Sequence, residues 1–234
     1  MTTSGQRIRR GAVIIAWLLV IVALLGLGTW QVQRRSWKLD LIARVEARIH
    51  APPVAAPDTA GKNDSYLRVR ATGTYVAGKD TFVQASTVRG PGYWAMTPLR
   101  RADGSVLLIN RGYVPDRKAL PPPTGVVGVT GLLRLSEPGG GFLRSNAPAA
   151  DRWYSRDVAA IAAHRGLGPT QSYFVDADAG DKRPGAPVGG LTVVRFPNSH
   201  LVYAVTWFIL ALMCAAGFVY WIRQERHRPD DRAA

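Results

Sequence analysis

Two long apolar runs bracket the chain, and between them the pattern changes to short alternating segments. Gly11 to Trp30 holds 20 consecutive residues without a charge, and Leu201 to Ile222 holds 22. At about 1.5 Å per residue either run makes a helix that crosses a hydrocarbon core about 30 Å thick. A cleavable signal peptide competes for the first run, because Arg7, Arg9 and Arg10 precede it. Such peptides, however, carry an apolar stretch of only about 7 to 15 residues that ends at small side chains. This run is longer and passes into Trp30-Gln31. The second run has aromatic residues at both ends, as at a membrane interface. Beyond Trp30, Trp37, Leu41 and Val45 recur every four residues, which predicts that the first helix leaves the membrane as an amphipathic extension and stops at Pro52 and Pro53.

The middle of the chain reads as strands. Tyr66 to Val76, Thr81 to Val88, Tyr93 to Leu99, Val106 to Val114 and Val126 to Leu135 are rich in β-branched and aromatic residues. Turn clusters such as Gly78-Lys79-Asp80 and Ala102-Asp103-Gly104 separate them, and such close spacing predicts an antiparallel sheet. A short helix, Asp157 to His164, and strands at Gln171 to Asp176 and Leu191 to Phe196 complete the set. The expected fold is therefore an α+β membrane protein: two transmembrane helices flank one small antiparallel β-rich domain, barrel or sandwich-like, with a short helix. The expected layout is a tail at 1–10, a span at 11–32, a helical extension at 33–52, a β-rich domain at 53–199, a span at 200–222 and a tail at 223–234.

Charge adds topology and partners to this picture. The 234 residues carry 30 Lys and Arg against 16 Asp and Glu, a net +14. Most of the excess lies between the spans without any long basic block, which suggests a scattered solvated surface and no nucleic-acid arm. The positive-inside count is ambiguous, since Arg34, Arg35, Lys38, Arg44 and Arg48 follow the first span closely. A connecting domain this long translocates largely regardless of charge, so both termini are placed in the cytoplasm and the domain outside.

Little points to catalysis. The single cysteine, Cys214, sits in mid-span, no GxSxG or GxGxxG motif is present, and Gly139-Gly140-Gly141 reads as a glycine-rich turn. His50, His164, His200 and His227 are dispersed without metal-ligand spacing, which argues against a protein-only metal cage. The carboxylates form no obvious acid–base pair, and the chain is expected not to be an enzyme. His200 stands out because it heads the second span, with Asn198 as the expected N-cap, where a helix N-terminus favours neutral imidazole. Tyr203, Ala204 and Trp207 follow at helical spacing and could line a flat slot suited to a porphyrin whose iron takes the histidine. Interfacial anchoring is the other reading of these aromatics. Trp30, Gln31, Arg34, Arg35 and Trp37 lie at the same boundary of the first helix. The arginines there could hold haem propionates in bidentate fashion or anchor the helix to membrane lipid.

Four dispersed stretches carry a family resemblance. Gly26 to Ala43, GLGTWQVQRRSWKLDLIA, resembles the end of the first helix in the Surfeit locus protein 1 family, the cytochrome c oxidase assembly factors. Asn110-Arg111-Gly112-Tyr113-Val114-Pro115 resembles that family's NRG-aromatic-VP strand, and Asp151 to Asp157 is similar to its W-Y-x-R-D segment. Gly189 to Trp207 resembles its closing GG-x-T…N-x-HL-x-Y-x-x-TW stretch. The resemblance implies a non-catalytic factor that binds haem a and supports its insertion into the largest oxidase subunit; in the working mechanism built on it, haem a synthase supplies the haem. It matches His200 to the family histidine, and Trp30, Gln31, Arg34 and Arg35 to the family's post-helix motif. Arg111, with Trp37, is a candidate partner contact, although Arg111 could equally pair within the domain. With only ten residues ahead of the first span, a bacterial inner-membrane protein with a periplasmic domain is expected. The competing reading is a haem-free membrane scaffold for an oxidase subunit.

Overall fold

The computed structural model describes residues 4–141, 143–192 and 198–227. The chain divides into two compact units, one made by two long helices near its ends and the other by Arg44–Val194. The first helix, α1, is continuous over Ser4–His50, so the apolar run and its polar extension are one element. It ends just before Pro52 and Pro53, because proline cannot donate to the helix ladder. The last helix, α3, spans His200–His227. By length and composition both are apolar enough to cross a membrane. Their apolar side chains are mostly open rather than packed: Leu19 is 64% exposed, Val22 66% and Leu212 71%.

The described residues of the intervening unit form nine strands. They are β1 (Val54–Ala55), β2 (Arg68–Tyr75), β3 (Thr81–Thr87), β4 (Gly90–Arg100), β5 (Val106–Val114), β6 (Val126–Leu135), the tiny pair β7 (Gly140–Gly141) and β8 (Arg144–Ser145), and β9 (Thr170–Ala177). The large sheet runs β1-β2-β6-β9-β5-β4-β3, and pairing of Thr74 and Tyr75 in β2 with Arg100 and Leu99 in β4 closes β2, β6, β9, β5 and β4 into a five-stranded barrel. Inside it pack Val69, Ala71, Leu99, Leu107, Ile109, Val129, Leu133, Tyr173 and Val175. Alternation explains most walls. In β2, Val69 and Ala71 turn inward while Arg70 and Thr72 face out.

Strand β5 breaks that alternation, since all nine of its residues are buried. Leu107 and Ile109 enter the barrel, whereas Val106 and Leu108 face a second core with Trp153, Phe174 and the helix α2, Val158–Arg165, through Val158 and Ile161. Covering on both faces is the usual setting of a parallel pair joined by a helical crossover. Accordingly β5 and β9 run parallel, with Ile109 opposite Val175, and β1 runs parallel to β2. This corrects the wholly antiparallel expectation: α2 lies in the β6–β9 connection and covers the β5–β9 wall, a layer that turn spacing alone does not reveal. The short helix itself forms as expected, with the Asp157 carboxylate capping the Ala160 N–H at 3.1 Å and Gly166 closing it in the left-handed region. The strand expected at Leu191 to Phe196 does not start where proposed, because Leu191 and Thr192 are outside any strand and 193–196 lie outside the described residues.

Candidate functional site

Within the helical unit, α1 and α3 meet along stripes of small and half-covered positions. On α1 these are Trp17, Ile21, Leu24, Gly28, Gln31 and Arg35; on α3 they are His200, Ala204, Trp207, Ala211, Cys214 and Phe218. The alternating three- and four-residue spacing is that of two helices packed side by side, and small residues let the backbones approach without a hydrophobic drive. Ala204 and Ala211 are buried, and a Cβ at Gly28 would lie 2.6 Å from the Phe208 ring. Near the other end, the Trp17 and Phe218 rings lie 6.1 Å apart. The helices are therefore antiparallel neighbours, which brings the end of the first apolar run to the start of the second.

That juxtaposition has a polar centre. His200 Nδ1 lies 2.8 Å from the amide oxygen Oε1 of Gln31. Since that oxygen only accepts, Nδ1 is the donor in this contact, and Nε2 is not engaged by it. Two residues named separately from the sequence are thus one hydrogen-bonded unit. The two arginines, in contrast, divide. Arg35 shares the stripe of Gln31, whereas Arg34 stacks over the Trp37 ring at 4.2 Å from its centroid. Trp30 and Tyr203 lie off the stripes, 53% and 54% exposed, while Trp207 is half-covered on the His200 face. Asn198 is not the cap expected for α3. The helix starts at His200, Ser199 stands at the cap position with its carbonyl 3.3 Å from the Tyr203 N–H, and Asn198 Oδ1 is buried with no hydrogen-bond partner among the described residues. Two other histidines have local roles: His50 pairs with Glu46 one turn earlier, and His164 packs edge-on against Trp153.

The barrel unit has a buried polar centre of its own at Asp176 on β9. Its Oδ1 accepts from Asn110 Nδ2 at 2.8 Å and Arg156 Nη1 at 3.2 Å, and its Oδ2 from Arg134 Nη1 at 3.1 Å and Thr192 Oγ1 at 3.0 Å. The Asp176 side chain is 3% exposed. Arg156 also grips Glu137, with Nε 3.1 Å from Oε2, and lies over the Phe174 ring. Sequence reading missed Asp176, because a lone aspartate in an apolar strand carries no motif. Its position in the buried run YFVDA was the available signal, since an unpaired carboxylate there would be costly. Arg111 is buried as well: Nη2 donates to the Leu120 carbonyl at 2.9 Å and lies 3.9 Å from Asp181. It therefore pairs within the domain rather than presenting a cation on an open surface.

Comparison with known proteins gives these geometries a family. The SURF1 family profile covers residues 18–212. The chain belongs to the SURF1 family. It is 36% identical to human Surfeit locus protein 1 over 88% of this chain and 75% of that protein, and 35% identical to the rat protein over 90% and 75%. A SURF1-like protein of Monosiga brevicollis is 34% identical over 96% of this chain and 93% of its own length. The SURF1 motifs quoted above now acquire physical roles. The NRG stretch supplies Asn110, whose Oδ1 also accepts the Gly112 N–H at 3.1 Å. Gly112 itself has φ +129, with the Val188 backbone 2.2 Å from where a Cβ would stand, so no other residue fits. The W-Y-x-R-D stretch supplies the core Trp153, Arg156 and the Asp157 cap, and the GG-x-T stretch supplies Thr192. Three motifs far apart in sequence thus converge on Asp176.

The carboxylates of this unit set an acid limit. Burial tends to raise the pKa of Glu137, but hydrogen bonds and charge from Arg156 outweigh it and hold the carboxyl below its ordinary range. Asp151 is likewise lowered: partial burial opposes the shift, and the Trp153 indole N–H and Arg165 prevail. A depressed folded-state pKa gives stabilisation that is complete above the unfolded-state value of about 4 and is lost as pH falls through the folded value. The thermal unfolding midpoint is therefore expected to be flat from neutrality to about pH 5 and to fall below about pH 4. Glu137→Gln should lower the plateau and flatten the acid fall. Midpoints followed by circular dichroism across this range check it, and an unchanged acid slope in Glu137→Gln would remove Glu137 from the account.

Proposed function

We propose that this chain is an assembly factor for haem–copper cytochrome c oxidase that holds haem a as cargo and supports its insertion into the largest oxidase subunit. Membership of the SURF1 family and the motif agreement support the assembly role. The observation that carries the cargo reading is the Gln31–His200 hydrogen bond, which commits Nδ1 and leaves Nε2 free to ligate iron. Haem iron accepts such a histidine, so the residues present fit the group. Arg35, on the stripe of Gln31, would meet a propionate, with Arg34 and its Trp37 platform beside it.

In this reading α1 and α3 span the bacterial inner membrane, both termini are cytoplasmic and the barrel is periplasmic. Haem a synthase delivers the cargo within the membrane, and the exposed Trp30 and Tyr203 offer apolar surface at that depth. One axial histidine gives a hold weak enough to release to the oxidase subunit. No bond is made or broken in the cargo, so the chain is not an enzyme. The deciding experiment is the visible absorption spectrum of the detergent-purified protein produced in cells that also make haem a. Near-stoichiometric haem a is the expected result. Haem-free protein that still supports oxidase assembly would replace the carrier with a scaffold, the reading favoured by the convergence of Asn110, Arg156 and Thr192 on Asp176 in the barrel unit.

A further inference from the structure

A cavity of about 440 Å³ opens on the wall of the barrel unit between β2, β6 and the loop that follows β9, and Arg111 lies in its lining. The Arg111 side chain is only 6% exposed, and its Nη1 is buried with no hydrogen-bond partner among the described residues. A buried guanidinium stays charged, and a donor left unmade at such a site costs free energy that a bound acceptor would recover. The rest of the guanidinium is already committed. Nη2 holds the Leu120 carbonyl, and the Tyr75 ring lies 5.8 Å from Cζ. The carboxylates of Asp80 and Asp181 both act on the guanidinium charge, Asp181 from 3.9 Å of Nη2 with its Oδ2 also 2.7 Å from Arg183 Nη2, but neither bonds Nη1. Around this point the walls are largely apolar, with Val127, Val129 and Pro187.

We propose that this cavity is a binding site for a carboxylate carried on a short apolar group, with Arg111 Nη1 as the anion contact. The volume is at the small end of the range for ligand pockets, which suits a few carbon atoms and one charged head. A single free guanidinium nitrogen beside Asp181 matches a monoanion. A phosphate dianion would need more donors and would be repelled by that carboxylate. Tyr75 shares the lining, and burial pushes its hydroxyl up to about 12, so it adds no negative charge there at any physiological pH. The site is independent of the haem reading, since all of its residues belong to the barrel unit. The carboxylate could come from a free organic acid or from the C-terminus of a protein chain, and the chemistry at Arg111 is the same.

The test uses the full chain in detergent and saturation-transfer NMR with sodium butyrate, butyramide and inorganic phosphate. Butyrate is expected to bind about tenfold or more tightly than butyramide, the discrimination that one charge-assisted hydrogen bond supplies. Intermolecular Overhauser contacts from butyrate to the Val127 and Val129 methyls should place it in the cavity. Arg111→Gln, with its unfolding midpoint measured in parallel, should lose the same factor. If that variant fails to fold, the acid–amide ratio and the contacts to the valines decide alone. N-acetyl-Ala-Val with a free C-terminus, compared with its amide, separates the sources: tighter binding than butyrate assigns a chain terminus, weaker binding a free acid. Equal binding of butyrate and butyramide, displacement by phosphate at equal concentration, or contacts that miss both valines would overturn the proposal.

Discussion

Asp176→Ala is expected to be the most damaging single change in the barrel unit, lowering stability by about 3 to 5 kcal/mol. The reason is what it leaves behind. The substitution removes the acceptor of Asn110, Thr192, Arg134 and Arg156 at once. Arg156 would keep Glu137 but lose its second anion while 13% exposed, and Arg134 would keep a 3.7 Å approach to Glu137 and its place over the Tyr66 ring. At about 2 to 4 °C per kcal/mol for a domain of this size, the unfolding midpoint should fall by about 10 °C. Asp176→Asn preserves shape and part of the acceptor capacity, so it should cost less than Asp176→Ala while still losing both ion pairs. Chemical denaturation of the two variants against the parent measures this. A loss under about 1 kcal/mol for Asp176→Ala would mean that water replaces the carboxylate and that the convergence of motifs has another cause.

The same residue explains where the sequence is transparent and where it is opaque. Charge-free apolar length located α1 and α3, and β-branched and aromatic runs between turn signals located six of the strands. The burial of β5 on both faces hid the parallel β5–β9 pair, since a continuous apolar run specifies coverage but not the direction of its neighbour. Partnerships were harder still. Asn110, Arg156 and Thr192 stood in quoted motifs, yet what they share is a fourth residue outside all of them. Only the closure of the barrel brings these segments together. At the helix pair the reverse holds: Gln31 and His200 were both identifiable, because the end of one long apolar run and the start of the next meet when the two helices pack antiparallel. What the sequence could not resolve was rotation about the helix axis, which puts Arg35 with Gln31 and turns Arg34 onto Trp37.

Rotation also determines how substitutions at the helix pair should differ. If Nε2 of His200 is the iron ligand, His200→Ala removes the only protein bond to the metal, and the haem a spectrum of the purified protein should disappear. Gln31→Leu leaves the imidazole but removes the acceptor that holds Nδ1 in its protonated form and fixes the ring. Losing such a supporting partner typically costs about 10- to 100-fold in metal affinity, so haem a should be retained only weakly and lost on dilution. Gln31→Glu keeps the acceptor and adds negative charge. That strengthens electron donation through the imidazole, so haem is retained with a lowered reduction potential. A purely structural role for Gln31 would give a different order, with Gln31→Leu tolerated within the apolar stripe beside Gly28 and Ala204, and Gln31→Glu disfavoured by burial of a charge. Haem content and redox titration of the three variants, each checked for equal helical content, separate these outcomes. Equal haem in all three would place the iron ligand away from His200.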